Sequence, residues 1–218
     1  MTPITPELVL RAYTIGYFPM AERRSDTEIF WVCPHHRGII PLNAVHVPRK
    51  LRSLWHKHPY AITCNRDFDA TIRACAEAKP KRPDTWINRP IMNLFCELHA
   101  MGYAHSIEVW DHQGALIGGL YGVALGGAFF GESMFSRADN TSKLALLHLI
   151  ARLKYSGFSL LDTQFITKHL TQFGAIEIPQ ASYLELLDEA LKIPAEFYCG
   201  EADLAWDGLL LQPNSTTS

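Results

Sequence analysis

The sequence lacks the features that mark membrane and secreted proteins. No stretch of its 218 residues approaches the roughly 18 consecutive apolar residues that a membrane-spanning helix needs. The first residues, MTPITPELVLRAY, do not show the basic and then apolar order of a secretory signal. Repeats are absent, and the only low-complexity stretch is the terminal PNSTTS, which we expect to be disordered. We therefore expect a globular, cytoplasmic protein.

Cysteine is scarce and shows no recognisable pattern. The five cysteines include no CxxC pair, and their odd number argues against a complete disulfide framework. They are Cys33, Cys64, Cys75, Cys96 and Cys199. We expect them to be reduced and mostly to pack in the interior. Because the histidines His105, His148 and His169 show no metal-ligand spacing, no metal site is expected either.

Net charge is also small, at -2, so the chain has no overall basic character. A nucleic-acid partner would therefore need a local basic patch. The densest basic segment is HVPRKLRSLWHKHPYAIT, with Arg49, Lys50, Arg52 and Lys57. Such side chains can contact phosphates. Taken alone, however, a run of this kind is more often the solvated face of a helix.

Periodicity and capping residues predict an α+β fold. Thr5 and Pro6 begin a helix that ends near Gly16, residues 17–28 are predicted as turn and loop, and residues 29–32 as a strand. Helices are predicted at 65–79 and 88–101, followed by an antiparallel meander of strands at 106–110, 115–125 and 128–135. A helix capped by Thr141 or Ser142, a strand at 159–166 and a helix at 181–191 complete the order. We expect a short N-terminal lobe over residues 1–36 and a second domain over 37–218.

Two isolated acids lie in apolar strands. If side chains alternate between the faces of a strand, Phe130, Glu132 and Met134 share one face. In the later strand, Asp162 and Gln164 share a face in the same way. A carboxylate in such surroundings needs a partner or a function. The plain alternative for Asp162 and Gln164 is a polar pair that satisfies a sheet edge.

Several blocks in the right order resemble one bacterial family. HSIEVW, GGLYGVA, GESMFSR, TSK and LLDTQF are similar to the leucyl/phenylalanyl-tRNA–protein transferase family. The resemblance implies transfer of Leu or Phe, and in some cases Met, from aminoacyl-tRNA to the α-amino group of proteins that begin with Arg or Lys. This transfer marks those proteins for degradation through the N-degron pathway. It also implies that the basic segment meets the tRNA acceptor end, that the protein is a monomer, and that no cofactor is used.

The resemblance further implies a set of site residues. Asp162, Gln164 and Glu132 match its catalytic positions, with Glu132 facing the donor aminoacyl group. The shared strand face suggests that Asp162 orients the Gln164 amide, whose oxygen accepts a hydrogen bond from the incoming amine. The positions of an apolar side-chain pocket are matched by Trp110, Tyr121, Phe129, Leu149, Leu153 and Leu161. Each of these six would more often be ordinary core if it were considered singly.

The order of meander, helix, strand and helix is that of a GNAT-like acyltransferase core, to which the family is similar. A CoA-dependent N-acetyltransferase is therefore the alternative enzyme. Such enzymes hold the CoA pyrophosphate on a Q/R-x-x-G-x-G/A turn before the central helix. Because this chain has SRADNTSK there, that alternative is disfavoured. An RNA-binding module without catalysis would leave Glu132 and Asp162 unexplained, since acids repel phosphate.

Overall fold

A computed structural model describes residues 4–57, 59–78 and 83–200. The terminal segment predicted to be disordered lies outside those residues. In the described ranges, no helix is both long enough and apolar enough to span a membrane.

The N-terminal residues form a helix and a small hairpin. The predicted first helix is confirmed as α1, Pro6–Thr14, and the Thr5 hydroxyl accepts the Leu8 N–H at 3.3 Å. Strand β1, Phe18–Met20, pairs antiparallel with β2, Phe30–Val32. The loop prediction is therefore wrong for β1. Pro19 can lie in this strand because, within the described residues, β1 has a neighbour on one side alone.

The remaining elements follow in the order expected for an α+β protein. They are β3 His36–Ile40, α2 Arg49–Lys57, β4 Ala61–Cys64, α3 Phe68–Cys75, α4 Arg89–Ala100, β5 Ala104–Trp110, β6 Leu116–Leu125, β7 Ala128–Ser136, α5 Thr141–Tyr155, β8 Leu160–Gln164, α6 Lys168–Thr171, β9 Ile176–Pro179 and α7 Gln180–Leu191. The predicted meander corresponds to β5, β6 and β7, which are confirmed as antiparallel neighbours.

A seven-stranded mixed sheet organises the chain, with the order β4-β5-β6-β7-β8-β3-β9. Within the described part of the chain, β7 and β8 are the one parallel pair, and α5 connects these two strands. The sequence did not predict β3, β4 or β9. The apolar pattern did not indicate β3, because a charged residue, Arg37, lies within it. The α+β class is confirmed.

Apolar side chains cover both faces of the sheet. One buried cluster contains residues of α1, α3, α4 and α7, and the other contains residues of α2 and α5. Helix α1 joins the first cluster through Val9 and Tyr13, both fully buried. The chain before residue 36 is therefore packed against the main sheet.

The start of α5 differs from the capping prediction. Its N-cap is Asn140, which has a φ of 65° and makes no side-chain capping bond. The Thr141 hydroxyl instead donates to the Ile117 carbonyl, and Ser136 Oγ accepts the Ser142 N–H at 3.0 Å. The helix start is thus tied to β6 by the Thr141 side chain and to β7 by the Ser136 side chain.

Two bulges interrupt the neighbouring strands β7 and β8. Opposite β6, Tyr121 pairs with Ser133 and Gly122 with Gly131, so Glu132 has no cross-strand partner. Phe130 consequently packs in one core cluster while Met134 packs against the other. The prediction that Phe130, Glu132 and Met134 share one face is wrong, because an extra residue inverts the alternation.

The bulge in β8 falls at Thr163, since Gly38 pairs with Gln164 and Ile39 with Asp162. The simple alternation predicted for Asp162 and Gln164 is broken there too. Parallel pairing between β7 and β8 extends only to Phe130 and Asp162. The sheet is therefore irregular on both strands at the same level, immediately after the last parallel pair.

The cysteine prediction is wrong for one pair. Cys64 and Cys199 form a disulfide across a separation of 135 residues, with their Cα atoms 5.3 Å apart. The Arg152 guanidinium holds the C-terminal segment by donating to the carbonyls of Tyr198 and Gly200, at 2.8 and 2.9 Å. Pairing of distant cysteines depends on the return path of the chain, which spacing alone does not indicate.

Candidate active site

A cavity of about 400 Å³ lies beside the two bulges. Its walls come from β6, β7, β8, α5 and α6, with Trp86 from the segment before α4. Most of the wall is apolar, and the apolar lining residues include Leu120, Tyr121, Met134, Phe135, Leu146, Leu149, Leu161 and Phe165. Two polar groups that the sequence predicted, Glu132 and Gln164, also line it. The cavity therefore combines an apolar wall with a carboxyl–amide pair.

Glu132 is held at one carboxyl oxygen. Its Oε1 accepts the Tyr13 hydroxyl at 2.7 Å and the Gln164 Nε2–H at 3.0 Å. Its Oε2 is buried, and no group in the described residues forms a hydrogen bond to it. The bulge explains this arrangement, because a residue without a cross-strand partner can be turned away from the regular pleat.

The environment of Glu132 favours its neutral form. Burial raises the pKa of this carboxyl to about 8, and the nearby charge of Asp162 acts in the same direction. The hydrogen bonds from Tyr13 and Gln164 and the charge of Arg37 act the other way and only partly offset burial. Glu132 can therefore gain or lose a proton near neutral pH.

Asp162 is fully buried and strongly paired. Its Oδ2 lies 2.6 Å from Arg37 Nη2, and its Oδ1 lies 2.9 Å from Arg37 Nε. Tyr183 on α7 donates its hydroxyl to Oδ2 at 2.7 Å. Burial disfavours the charge of Arg37, but Asp162 raises the pKa of the guanidinium overall. These contacts link β8 to β3 and α7.

Asp162 contacts the backbone of Gln164 and not its side chain. The Gln164 N–H donates to Asp162 Oδ1 at 2.8 Å, while the side-chain amide donates to Glu132. The prediction that Asp162 orients the Gln164 amide directly is therefore wrong. Gln164 has a φ of 61°, a left-handed conformation that a non-glycine residue seldom adopts. The backbone bond to Asp162 supports this conformation and so directs the side chain toward Glu132.

The predicted side-chain pocket is only partly assembled around the cavity. Tyr121, Leu149 and Leu161 line it. Trp110, Phe129 and Leu153 are not among its lining residues. Trp110 lies at the end of β5, where its Nε1–H donates to Thr63 Oγ1 at 2.7 Å.

Phe129 and Leu153 do not line the cavity because they pack elsewhere. Phe129 stacks on Phe197 of the C-terminal segment, with ring centroids 5.3 Å apart. Leu153 is buried in the second core cluster, about one turn beyond Leu149 on α5. Residue type and the resemblance could not show which apolar side chains line the cavity. For the leucines, the answer depends on which turn of α5 reaches the cavity.

The four predicted tRNA-binding cations lie together on α2. Arg49, Lys50, Arg52 and Lys57 are all exposed. On the opposite side of the helix, Leu51 and Trp55 are buried against the second core cluster. The helix therefore presents a basic outer face while its apolar residues hold it against the protein.

Sequence reasoning missed the groups that hold the two acids. Arg37, Tyr13 and Tyr183 come from three separate elements and meet only in the folded chain. Trp86, from the segment before α4, also lines the cavity. The one available signal was Arg37, a cation directly before the apolar GII, because a charge in such a strand needs a counter-charge.

We predict that Arg37→Met lowers the free energy of unfolding by about 3–5 kcal/mol, because it leaves the buried Asp162 carboxylate unpaired. Urea unfolding of the wild type and the variant would measure this loss. Arg73→Met is the matched control, since the Arg73–Asp69 pair is exposed at 68% and 59% and surface pairs contribute about 0–1 kcal/mol. Equal losses in the two variants would contradict the importance of the buried pair.

Comparison with known proteins identifies the family. A family model described as leucyl/phenylalanyl-tRNA protein transferase matches residues 39–188, and the model of its N-terminal domain matches residues 2–35. A leucyl/phenylalanyl-tRNA–protein transferase of Paramagnetospirillum magneticum is 52% identical over 97% of this chain and 100% of its own length. One from Rhodopseudomonas palustris is 54% identical over 89% of this chain and 86% of its own length.

Among solved structures, L-PGS from Bacillus licheniformis is similar with a TM-score of 0.41 and 13% identity, over 76% of this chain and 55% of that one. This likeness is too weak to carry an argument. The sequence matches are sufficient by themselves, because they extend over nearly the whole chain and the whole length of a relative. The chain belongs to the leucyl/phenylalanyl-tRNA protein transferase family and is an aminoacyl-transferring enzyme that acts on protein N-termini.

Proposed function

We propose that the enzyme transfers Leu or Phe, and also Met, from aminoacyl-tRNA to the α-amino group of proteins that begin with Arg or Lys. The observation that carries this proposal is the cavity in which an apolar wall meets Glu132 and Gln164. An apolar pocket accepts side chains of different shape, because a methylene group changes the free energy of binding by only about 1–3 kcal/mol. The carboxyl group suits an acceptor that arrives as a cation.

The chemistry required of such a site is positioning. The aminoacyl ester on tRNA is already activated, so a nucleophilic side chain or a metal is unnecessary. Gln164 would accept a hydrogen bond from the incoming amine through its amide oxygen and align it with the ester carbonyl. Its amide nitrogen is bound to Glu132, which fixes the rotation of the amide. We place Gln164 and Glu132 against the reacting atoms, and Asp162 behind them as a positioning residue.

The basic face of α2 is our proposed contact with the tRNA acceptor end. A patch of four cations is enough for one end of a tRNA, because each neutralised phosphate contributes separately to affinity. We further propose a cytoplasmic monomer that needs no metal and no CoA, and that marks its substrates for the N-degron pathway.

We also propose that residues 37–218 are a GNAT-like core behind a short lobe of residues 1–36. The meander of β5 to β7, the following helix α5 and the parallel strand β8 support this proposal. The position of the cavity also supports it, because the cavity lies where the parallel pairing of β7 and β8 ends, at Phe130 and Asp162.

The function is tested with two donors and one acceptor. The enzyme is incubated with radiolabelled Leu-tRNA and a peptide beginning with Arg, and separately with labelled acetyl-CoA and the same peptide. We expect label transfer from Leu-tRNA alone, and no transfer to a control peptide whose N-terminus is acetylated. Transfer from acetyl-CoA alone would support the acetyltransferase, and tRNA binding without any transfer would support a binding module.

Replacing Arg49, Lys50, Arg52 and Lys57 together by Ala should weaken tRNA affinity and flatten its salt dependence. The slope of log affinity against log salt should fall by roughly 0.7–0.9 for each phosphate contact that is lost. Filter binding at several salt concentrations would measure it. The matched control removes four exposed cations that lie outside α2, Arg11, Arg23, Arg73 and Lys192. An equal change of slope in both variants would place the tRNA elsewhere.

Leu149 should help to determine the ranking of donors. Leu149→Ala enlarges the cavity and should favour Phe-tRNA over Leu-tRNA. Leu149→Phe makes the cavity smaller and should favour Leu-tRNA. The expected shift in relative kcat/KM corresponds to about 1–3 kcal/mol. Leu153→Ala removes the same side chain about one turn later on α5, outside the lining. It should leave the ranking unchanged, and a shift as large as that of Leu149→Ala would argue against the assigned wall.

A further inference from the structure

The two oxygens of the Glu132 carboxyl group have different surroundings. Oε1 is occupied by the hydrogen bonds from Tyr13 and Gln164, at 2.7 and 3.0 Å. Oε2 is buried and has no hydrogen-bond partner among the described residues. A buried oxygen without a partner costs free energy, so it calls for an explanation. Since Glu132 lines the cavity, a ligand of the cavity can supply the missing partner.

We infer that Glu132 is the proton acceptor of the transfer reaction, and that its Oε2 receives a proton from the α-ammonium group of the incoming protein. This inference rests on the proposed function and adds a role that positioning alone does not include. Oε1 keeps the carboxyl group in place, and Oε2 performs the chemistry.

Asp162 is the competing carboxylate, and its contacts exclude it. Arg37, Tyr183 and the Gln164 backbone N–H occupy both of its oxygens. It is fully buried and does not line the cavity. With both oxygens engaged and no contact with the cavity, Asp162 is not placed to reach the incoming amine.

His169 is the second competitor, since it lines the cavity and its Nε2 has no hydrogen-bond partner in the described part of the chain. Burial and the charge of Lys143 lower the pKa of this imidazole. Among the described residues no hydrogen bond joins His169 to Gln164 or Glu132, whereas Glu132 is bonded to the amide that we place against the amine. Glu132 therefore has the better position.

The proton affinities of Glu132 and of the incoming α-amino group also match. Burial raises the pKa of Glu132 to about 8, and a free α-amino group has a pKa of roughly 7.7–8.0. Transfer between groups of similar pKa has little thermodynamic cost, and such matching near the working pH is what general-base catalysis requires. The charged and titratable groups around Glu132 are Tyr13, Arg37 and Asp162, and His169 lines the same cavity.

The reaction balances as follows. The ammonium gives one proton to Oε2, and the neutral nitrogen forms a bond to the ester carbonyl carbon. The ester C–O bond then breaks, and the excess proton on nitrogen passes to the departing ribose oxygen. Glu132 releases its proton to water when product leaves, so one proton is released for each peptide bond formed.

Glu132→Gln separates proton acceptance from positioning. A glutamine amide oxygen can still accept both hydrogen bonds that Oε1 accepts, but the group at the Oε2 position is no longer basic. We expect Leu-tRNA binding within a few-fold of the wild type and a kcat lower by about 10²–10⁴-fold, the usual contribution of a general base. The loss should shrink as the pH rises above roughly 8, because more of the α-amine is then neutral without help.

Glu132→Ala with added formate is the second variant, and it leaves space for a small carboxylate. Formate should restore part of its kcat in proportion to concentration, and should not restore Glu132→Gln. Tyr13→Phe, which removes one hydrogen bond to Oε1 but leaves Oε2 basic, is the control and should lose far less activity. A melting curve for each variant shows that it is folded.

Three results would overturn the assignment. The first is a kcat of Glu132→Gln within a few-fold of the wild type. The second is a Glu132→Ala variant whose kcat is not restored by formate. The third is a kcat loss that shrinks at alkaline pH in His169→Gln and not in Glu132→Gln. Failure of the proposed function looks different, because the wild-type enzyme itself would then not transfer Leu to the Arg peptide.

Discussion

The requirement that no carboxylate be buried without compensation governs the centre of this molecule. Two acids lie side by side in the sheet, and the fold compensates them in opposite ways. Asp162 is compensated by contacts, because Arg37 binds both of its oxygens and Tyr183 adds a third hydrogen bond. Among the described residues no cation is bonded to Glu132, so burial raises its pKa to about 8 and its neutral form becomes accessible. One acid is fixed in a buried ion pair, and the other keeps one oxygen without a hydrogen-bond partner among the described residues.

These two solutions depend on each other through Gln164. Asp162 holds the Gln164 backbone N–H, and the Gln164 side chain holds Glu132. The bulge at Thr163 and the positive φ of Gln164 make that geometry possible. Disturbing the ion pair should therefore affect activity through the direction of one amide, even though Asp162 does not reach the cavity. A loss of activity in an Asp162 variant would not by itself make this carboxylate a base.

The enzyme also draws its site from distant parts of the chain. Tyr13 of α1 and Arg37 of β3 belong to the first fifth of the sequence, and Tyr183 belongs to α7 near its end. The first helix packs in the same apolar cluster as β7 and β8. The N-terminal residues therefore contribute directly to the position of Glu132 and are more than a covering for the sheet.

The sequence by itself determined the family, the α+β class, the meander, the main helices and the residues to examine, because apolar periodicity, capping and short blocks are local properties. It could not determine that β3 enters the sheet, that Cys64 meets Cys199, or which of six apolar positions line the cavity. It also gave the wrong faces for Glu132 and Gln164, since a bulge is defined by the register of two strands and is invisible in either one. Only the tertiary structure decided which acid forms the buried ion pair, because that choice depends on a cation supplied by a distant strand, with Arg37 and Asp162 separated by 125 positions.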